Sequence, residues 1–114
     1  MSNRELALKL FLERLKLEDT IDSSTLLLID QALTHVSANR QTNFDRLEFL
    51  GDAVLRLAAT EFINRNFPSL SVGSCSNLRA QLVSDRWLSE LAEQLKLDSF
   101  ILKGHAAASC LEHH

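Results

Sequence analysis

Hydrophobic residues recur at intervals of three and four along most of the chain, which is the period of an amphipathic α-helix. A sustained alternation of apolar and polar residues, the sign of a strand, is not found. The chain contains one proline and three glycines, so few positions interrupt the helical pattern. The pattern predicts an all-α domain of about five helices.

Polar residues and the proline set the bounds of these predicted helices. The third helix is the longest and stops at Phe67-Pro68, because the residue before a proline disfavours helical backbone. Loops are predicted over 37–42 and 69–73. The predicted helices run from Asn3 to Leu15, from a cap in 22–24 to His35, from Phe44 to Asn66, from Ser74 to Val83 and from Arg86 to Leu95.

Three carboxylates lie close together in the third predicted helix. Asp45, Glu48 and Asp52 occupy positions i, i+3 and i+7, so they share one helix face. Such a face is neutralised by water, by basic side chains or by a divalent cation, and oxygen ligands suit Mg²⁺ or Mn²⁺. Spacing alone also fits an ordinary solvated face.

Two neighbouring features favour a functional role for this acidic face. Apolar residues interleave with the acids, so the carboxylates border hydrophobic surface (Leu47, Phe49 and Leu50). Gly51 lies in mid-helix, where it costs about 1 kcal/mol relative to alanine. We therefore expect another backbone to approach this helix closely near Gly51.

Four motifs resemble those of the ribonuclease III family. Residues 45–52 (DRLEFLGD) closely resemble its signature helix, usually written E-R-L-E-F-L-G-D. Residues 31–37 (QALTHVS) are similar to the A-L-T-H-x-S motif, 66–68 (NFP) to R-F-P, and 78–83 (LRAQLV) to L-R-A-x-L-V. The motifs follow the family's order and spacing, and the resemblance extends from about residue 24 to 102.

The resemblance implies a ribonuclease III-like helical domain that cleaves double-stranded RNA by Mg²⁺-dependent phosphodiester hydrolysis, in RNA processing. Glu48 and Asp52 match the two signature-helix acids of the family's metal site. Asp45 stands where the family has a glutamate of the same acidic cluster, so it is a further catalytic candidate with a shorter reach. Phe49 matches an aromatic residue at the family's two-fold contact, and with Gly51 it predicts a homodimer contact.

The sequence departs from the family pattern in two places. Val72 stands where the family often has a glutamate, which would remove an auxiliary acid. The family's second acidic pair, Asp-x-x-Glu, has no counterpart, and residues 111–114 resemble the remnant of an expression tag. Residues 1–110 are therefore interpreted as a catalytic domain without its C-terminal helices, expected to cleave weakly or not at all by itself. The alternative is a non-catalytic dimerisation or RNA-associated module of the same fold.

Net charge, hydropathy and cysteine content indicate which partners and which compartment to expect. The formal net charge is −3, whereas nucleic-acid-binding domains tend to be basic, so RNA capture is expected to need dimerisation, metal ions or a partner domain. No stretch is long and apolar enough to cross a membrane. Two cysteines, Cys75 and Cys110, form no disulfide framework and favour a cytoplasmic location.

Overall fold

The protein is all-helical in the computed structural model, which describes residues 2–20 and 22–104. Over those ranges the backbone forms five α-helices and no strand, beyond an isolated parallel bridge between Thr34 and Leu102. The predicted fold class is thereby confirmed. The helices are α1 (Asn3–Arg14), α2 (Ser23–Ala32), α3 (Asp45–Asn66), α4 (Val72–Leu82) and α5 (Asp85–Gln94), with short 3₁₀ turns at Glu18–Thr20 and Leu97–Phe100.

Side-chain caps start every helix except α3. In each of the other four, the N-cap oxygen accepts a hydrogen bond from a backbone N–H in the first turn, which satisfies one of the unpaired donors there. At α3 the N-cap is Phe44, which has no side-chain oxygen to offer. The capping residues are Ser2, Asp22, Ser71 and Ser84.

Two predicted helix bounds differ from the structure by more than one residue, and each difference has a physical reason. α4 begins at Val72 instead of Ser74, because the Ser71 hydroxyl accepts a hydrogen bond from the Ser74 amide at 3.1 Å and so starts the helix earlier. α2 ends at Ala32 instead of reaching His35. There the backbone turns to pair with a later segment, and the His35 amide donates to the Leu102 carbonyl at 2.9 Å.

The core lies where α1, α2 and the second 3₁₀ turn meet. The rings of Phe11 and Phe100 pack at a centroid distance of 5.3 Å, and both side chains are buried. Arg4 ties the same three elements together, because its guanidinium donates to the Asp30 carboxylate and to the Phe100 carbonyl, each at 2.7 Å. The buried cluster consists of Leu8, Phe11, Leu33 and Phe100.

α3 packs mainly against α4. Arg79 of α4 donates to the Thr60 hydroxyl of α3 at 3.1 Å. The buried residues of α3, Ala59 and Ile63, both lie in its C-terminal half. Its N-terminal half, which carries the acids, contributes no buried side chain. None of the described helices is long and apolar enough to span a membrane.

Candidate metal centre

The structure brings the three predicted carboxylates to one open depression on α3. The side chains of Asp45, Glu48 and Asp52, here called the acidic stripe, are all exposed. The depression has a volume of about 540 Å³ and is lined by α3 alone. Its remaining lining residues are Phe49, Leu50 and Ala53. Charged and apolar side chains therefore lie next to each other in this depression.

The acidic stripe lacks a counter-charge within residues 2–20 and 22–104. Over these ranges the salt bridges join Arg4 to Asp30, Arg86 to Glu90 and Lys103 to Asp98, so they leave the stripe out. Arg46, although adjacent in sequence, forms no ion pair with the stripe over these ranges. The carboxylates also accept no hydrogen bond from the described part of the chain. Free carboxylate oxygens of this kind are the ligands that Mg²⁺ and Mn²⁺ prefer.

The stripe by itself does not make a complete cage for an ion. Among the described residues, no group of three or more His, Cys, Asp or Glu side chains could hold a metal ion. Asp45 and Asp52 are about two helical turns apart, or roughly 10 Å along the axis, which is too far for both to ligate one ion. Glu48 and Asp52, one turn apart, fit a shared ion whose other ligands are water or oxygens from other groups.

The direction of the stripe follows from the helix period. Ala59 follows Asp52 by about two turns and Ile63 by about three, so these residues share the stripe's side of α3. In the C-terminal half of α3 that side is buried, whereas in the N-terminal half it carries the carboxylates and is open. The acids thus continue the helix's packing face into a region that no described element covers.

Val72, where the family pattern often has a glutamate, supplies no oxygen to the centre. It is the first residue of α4 and is 82% exposed. Its side chain lines a separate depression of about 340 Å³ between α3 and α4, which also contains Cys75. The auxiliary acid that the family pattern contains is therefore not replaced at this position.

The two predicted dimer-contact residues lie on different sides of α3. Phe49 is 69% exposed. Gly51 has no described atom within 4 Å of the position that a Cβ would occupy, so the expected close backbone approach is not made within the described chain. Two residues along a helix correspond to a rotation of roughly 200°, so one flat partner cannot meet both closely. The dimer contact stays a prediction.

His35 takes part in a local hydrogen-bond network beside the start of α3. Its Nδ1 accepts from the Ser37 amide at 3.0 Å, which assigns the proton of the neutral ring to Nε2. The ring also packs edge-on against Phe44, with centroids 5.6 Å apart. These contacts are those of a hydrogen-bonded packing residue.

Sequence analysis missed Asn43, which connects this region to the acids. Its side chain is buried, and its Oδ1 accepts from the Asp45 amide at 3.0 Å. The signal was present, because asparagine often bonds to the backbone two residues further on. The role of Asn43 was not predicted, because only the neighbouring acids of the helix were interpreted as functional.

The chain is similar in sequence to known proteins of one family. A family model described as "Ribonuclease III domain" matches residues 45–110. The chain is 52% identical over 80 residues to "Ribonuclease 3" of Prochlorococcus marinus, which covers 70% of this chain and 32% of that protein. It is 45% identical over 103 residues to "Ribonuclease 3 2" of a Synechocystis strain, covering 89% of this chain and 41% of that protein.

A solved structure agrees in fold. The nuclease domain of ribonuclease III from Campylobacter jejuni, reported with structural flexibility in the region involved in dimer formation, superposes with a TM-score of 0.70. It is 38% identical, and the match covers 86% of this chain and 68% of that one. The chain spans less than half the length of the two curated relatives named above. The matched family model includes the whole acidic stripe, and the chain belongs to the ribonuclease III family.

Proposed function

We propose that the protein is an endoribonuclease that cleaves double-stranded RNA by Mg²⁺-dependent phosphodiester hydrolysis, acting in RNA processing. One observation carries the proposal. Glu48 and Asp52 lie one turn apart, exposed and without a counter-charge in the described chain, in the helix that matches the family's signature. An ordinary solvated helix face would explain neither the apolar residues beside the acids nor the match of this helix to the family model.

The three acids of the stripe divide between two roles in the proposal. Glu48 and Asp52 hold the divalent ion through their carboxylate oxygens, and Asp45 adds negative charge at the helix start. When bound, the ion supplies activation of water and stabilisation of the leaving oxygen. The protein recognises A-form RNA by shape, phosphates and 2′-hydroxyls. A bound divalent ion would also lower the repulsion between the carboxylates of the acidic stripe and the phosphates of the RNA.

A homodimer is the second part of the proposal. The first part of α3, up to Leu57, exposes several large apolar side chains, and contiguous exposed apolar surface of this kind is typical of interaction sites. The related Campylobacter jejuni nuclease domain is described in terms of dimer formation. The exposed side chains are Phe49 (69%), Leu50 (53%), Val54 (66%) and Leu57 (59%).

A non-catalytic role is the second candidate function. The observation in its favour is that the described residues contain no group of three or more metal-ligating side chains. In this alternative the fold serves dimerisation or RNA association. It gives no physical reason for keeping the unpaired carboxylates of Glu48 and Asp52 side by side, since like charges one turn apart are slightly destabilising.

Substitution of Asp52 tests the proposal most simply. In the full-length gene product with Mg²⁺, we expect Asp52→Asn to lower the rate of double-stranded RNA cleavage by at least about a hundredfold, since an amide is a much weaker ligand for a hard cation. The same result is expected for Glu48→Gln. Cleavage is followed on a uniform duplex under single-turnover conditions.

Matched substitutions control for charge and folding. Glu61→Gln changes an exposed acid of the same helix, and Asp19→Asn changes an exposed acid elsewhere, so both variants should cleave as the wild type does. The free energy of unfolding of Asp52→Asn should stay within about 0.5 kcal/mol of the wild type, because only an exposed like-charge pair is removed. Full cleavage by Asp52→Asn would refute the assignment. No cleavage by the wild type would favour the non-catalytic module.

A further inference from the structure

The start of α3 is held by a buried amide one residue before the helix cap. Asn43 is only 8% exposed. Its Oδ1 accepts a hydrogen bond from the Asp45 amide at 3.0 Å, and its Nδ2 donates to the Asn39 carbonyl at 2.9 Å. Its own carbonyl accepts from the Gln31 side chain of α2 at 3.2 Å. One residue therefore joins α2, the following loop and the first turn of α3.

The next residue, Phe44, continues the same junction. Its amide donates to the Thr34 carbonyl at 3.0 Å, just beyond the end of α2. Its carbonyl accepts from the Glu48 amide at 2.7 Å. The backbone of Glu48 is thus one hydrogen bond away from a segment that is anchored at two points, by Gln31 of α2 and by Thr34 just beyond that helix. Movement at this junction would be transmitted to the carboxylates of the first turns.

Side-chain packing does not fix this end of α3 independently. The two buried residues of the helix, Ala59 and Ile63, lie about two and three turns beyond Asp52. In the N-terminal half no side chain is fully buried and only Leu47 and Leu55 are half-buried, so its placement depends strongly on the junction at residues 43–44 and on the stiffness of the helix. The hydrogen bonds of Asn43 therefore contribute more to holding the N-terminal end of α3 in place than those of an ordinary turn residue would.

We propose that Asn43 is a positioning residue for the divalent ion, acting through the backbone of Asp45 and the first turn of α3 to orient the carboxylates of the acidic stripe. This inference rests on the proposed function, which places the ion on Glu48 and Asp52. Residues that orient metal ligands through hydrogen bonds typically change metal affinity by about tenfold or more when removed. A turn residue without this role would change only stability.

Binding of Mn²⁺, followed by paramagnetic broadening of backbone amide signals, tests the proposal without an activity assay. In the full-length gene product, we expect Asn43→Ala to raise the Mn²⁺ concentration that half-broadens the amides near Glu48 and Asp52 by roughly tenfold. Asn43→Ser keeps an oxygen that can accept from the Asp45 amide and should give a smaller rise. Asn66→Ala removes an asparagine hydrogen bond at the other end of α3 and should leave the titration unchanged.

The outcomes separate this inference from the proposed function. A wild-type titration curve for Asn43→Ala, measured well below its unfolding temperature, would overturn the positioning role and leave the metal site standing. If Asn43→Ala does not fold, a wild-type curve for Asn43→Ser would overturn it instead. No broadening near Glu48 and Asp52 in the wild type would overturn the proposed function, and this inference with it.

Discussion

The carboxylates of this chain fall into two groups that differ in their surroundings. Asp22 is a capping group, since its Oδ1 accepts from the Thr25 amide at 2.7 Å and from the Ser24 hydroxyl at 2.9 Å. Glu48 and Asp52 accept no hydrogen bond within the described chain. An acid whose oxygens are already satisfied stabilises a helix, whereas one whose oxygens are free is available to an ion or a ligand. The partners of Asp22 identify it as a structural acid, whereas Glu48 and Asp52 are candidates because their free oxygens lie in the helix that matches the family's signature.

The cap at Asp22 predicts a pH-dependent contribution to stability. The Thr25 amide hydrogen bond, followed by the bonds from the Thr25 and Ser24 side chains, holds the pKa of Asp22 below its ordinary value. A group with a lowered native pKa stabilises the fold above its unfolded pKa and loses that contribution as pH falls through the native value. We expect Asp22→Ala to lower the free energy of unfolding at neutral pH, measured by urea denaturation.

Asn is the matched control at this cap, because its amide oxygen accepts the same backbone hydrogen bond without titrating. Asp22→Asn should stay close to the wild type at neutral pH. Its stability difference from Asp22→Ala should persist at a pH below the lowered native pKa of Asp22, where the wild type converges toward the alanine variant. A wild-type advantage over Asp22→Ala that is the same at both pH values would contradict this account of the cap.

At the scale of elements, two glycines differ in the space that surrounds them, one in a loop and one in a helix. In the segment after the second 3₁₀ turn, the Gly104 amide donates to the Ser37 hydroxyl at 2.9 Å. A Cβ at Gly104 would lie 2.5 Å from the Ser37 carbonyl oxygen, so the two backbones leave no room for a side chain. At Gly51, in mid-helix, the described chain leaves that space open.

Alanine at each glycine should therefore shift stability in opposite directions. Gly104→Ala should lower the free energy of unfolding by about 1–3 kcal/mol, because the backbone of one segment must move. Gly51→Ala should raise it by up to about 1 kcal/mol in the monomer, because alanine is the better helix former. Thermal denaturation at low protein concentration measures both. A destabilised Gly51→Ala monomer would mean that another part of the chain does pack against α3 there.

The sequence predicts the elements well and their junctions poorly. The helix period located the five helices of the described chain, with a predicted cap at the start of α2, because period and capping are local properties of the chain. The early end of α2 was not predicted, since the hydrogen bond from the His35 amide to the Leu102 carbonyl joins residues far apart in sequence. Asn43 was missed for the same reason, because its role depends on Gln31 and on burial. The acids of α3 were found because helix spacing alone brings them together.

At the scale of the whole molecule, the proposed dimer makes a separate prediction. Phe49→Ala should raise the dimer dissociation constant by about tenfold or more, because an exposed aromatic side chain is a typical interface anchor. Phe62→Ala, which changes an exposed phenylalanine on another side of α3, should have little effect. Sedimentation velocity over a range of concentrations measures both constants. Equal effects of the two substitutions would contradict a contact centred on Phe49.

A Mg²⁺ titration followed by amide chemical shifts tests the central claim most directly, that the acidic stripe binds a divalent cation. In the ¹⁵N-labelled full-length gene product, we predict saturable shifts at residues around Glu48 and Asp52 that are lost in the variant carrying both Glu48→Gln and Asp52→Asn. Glu61→Gln should retain them. No shifts at millimolar Mg²⁺, or shifts that survive the double substitution, would contradict the claim.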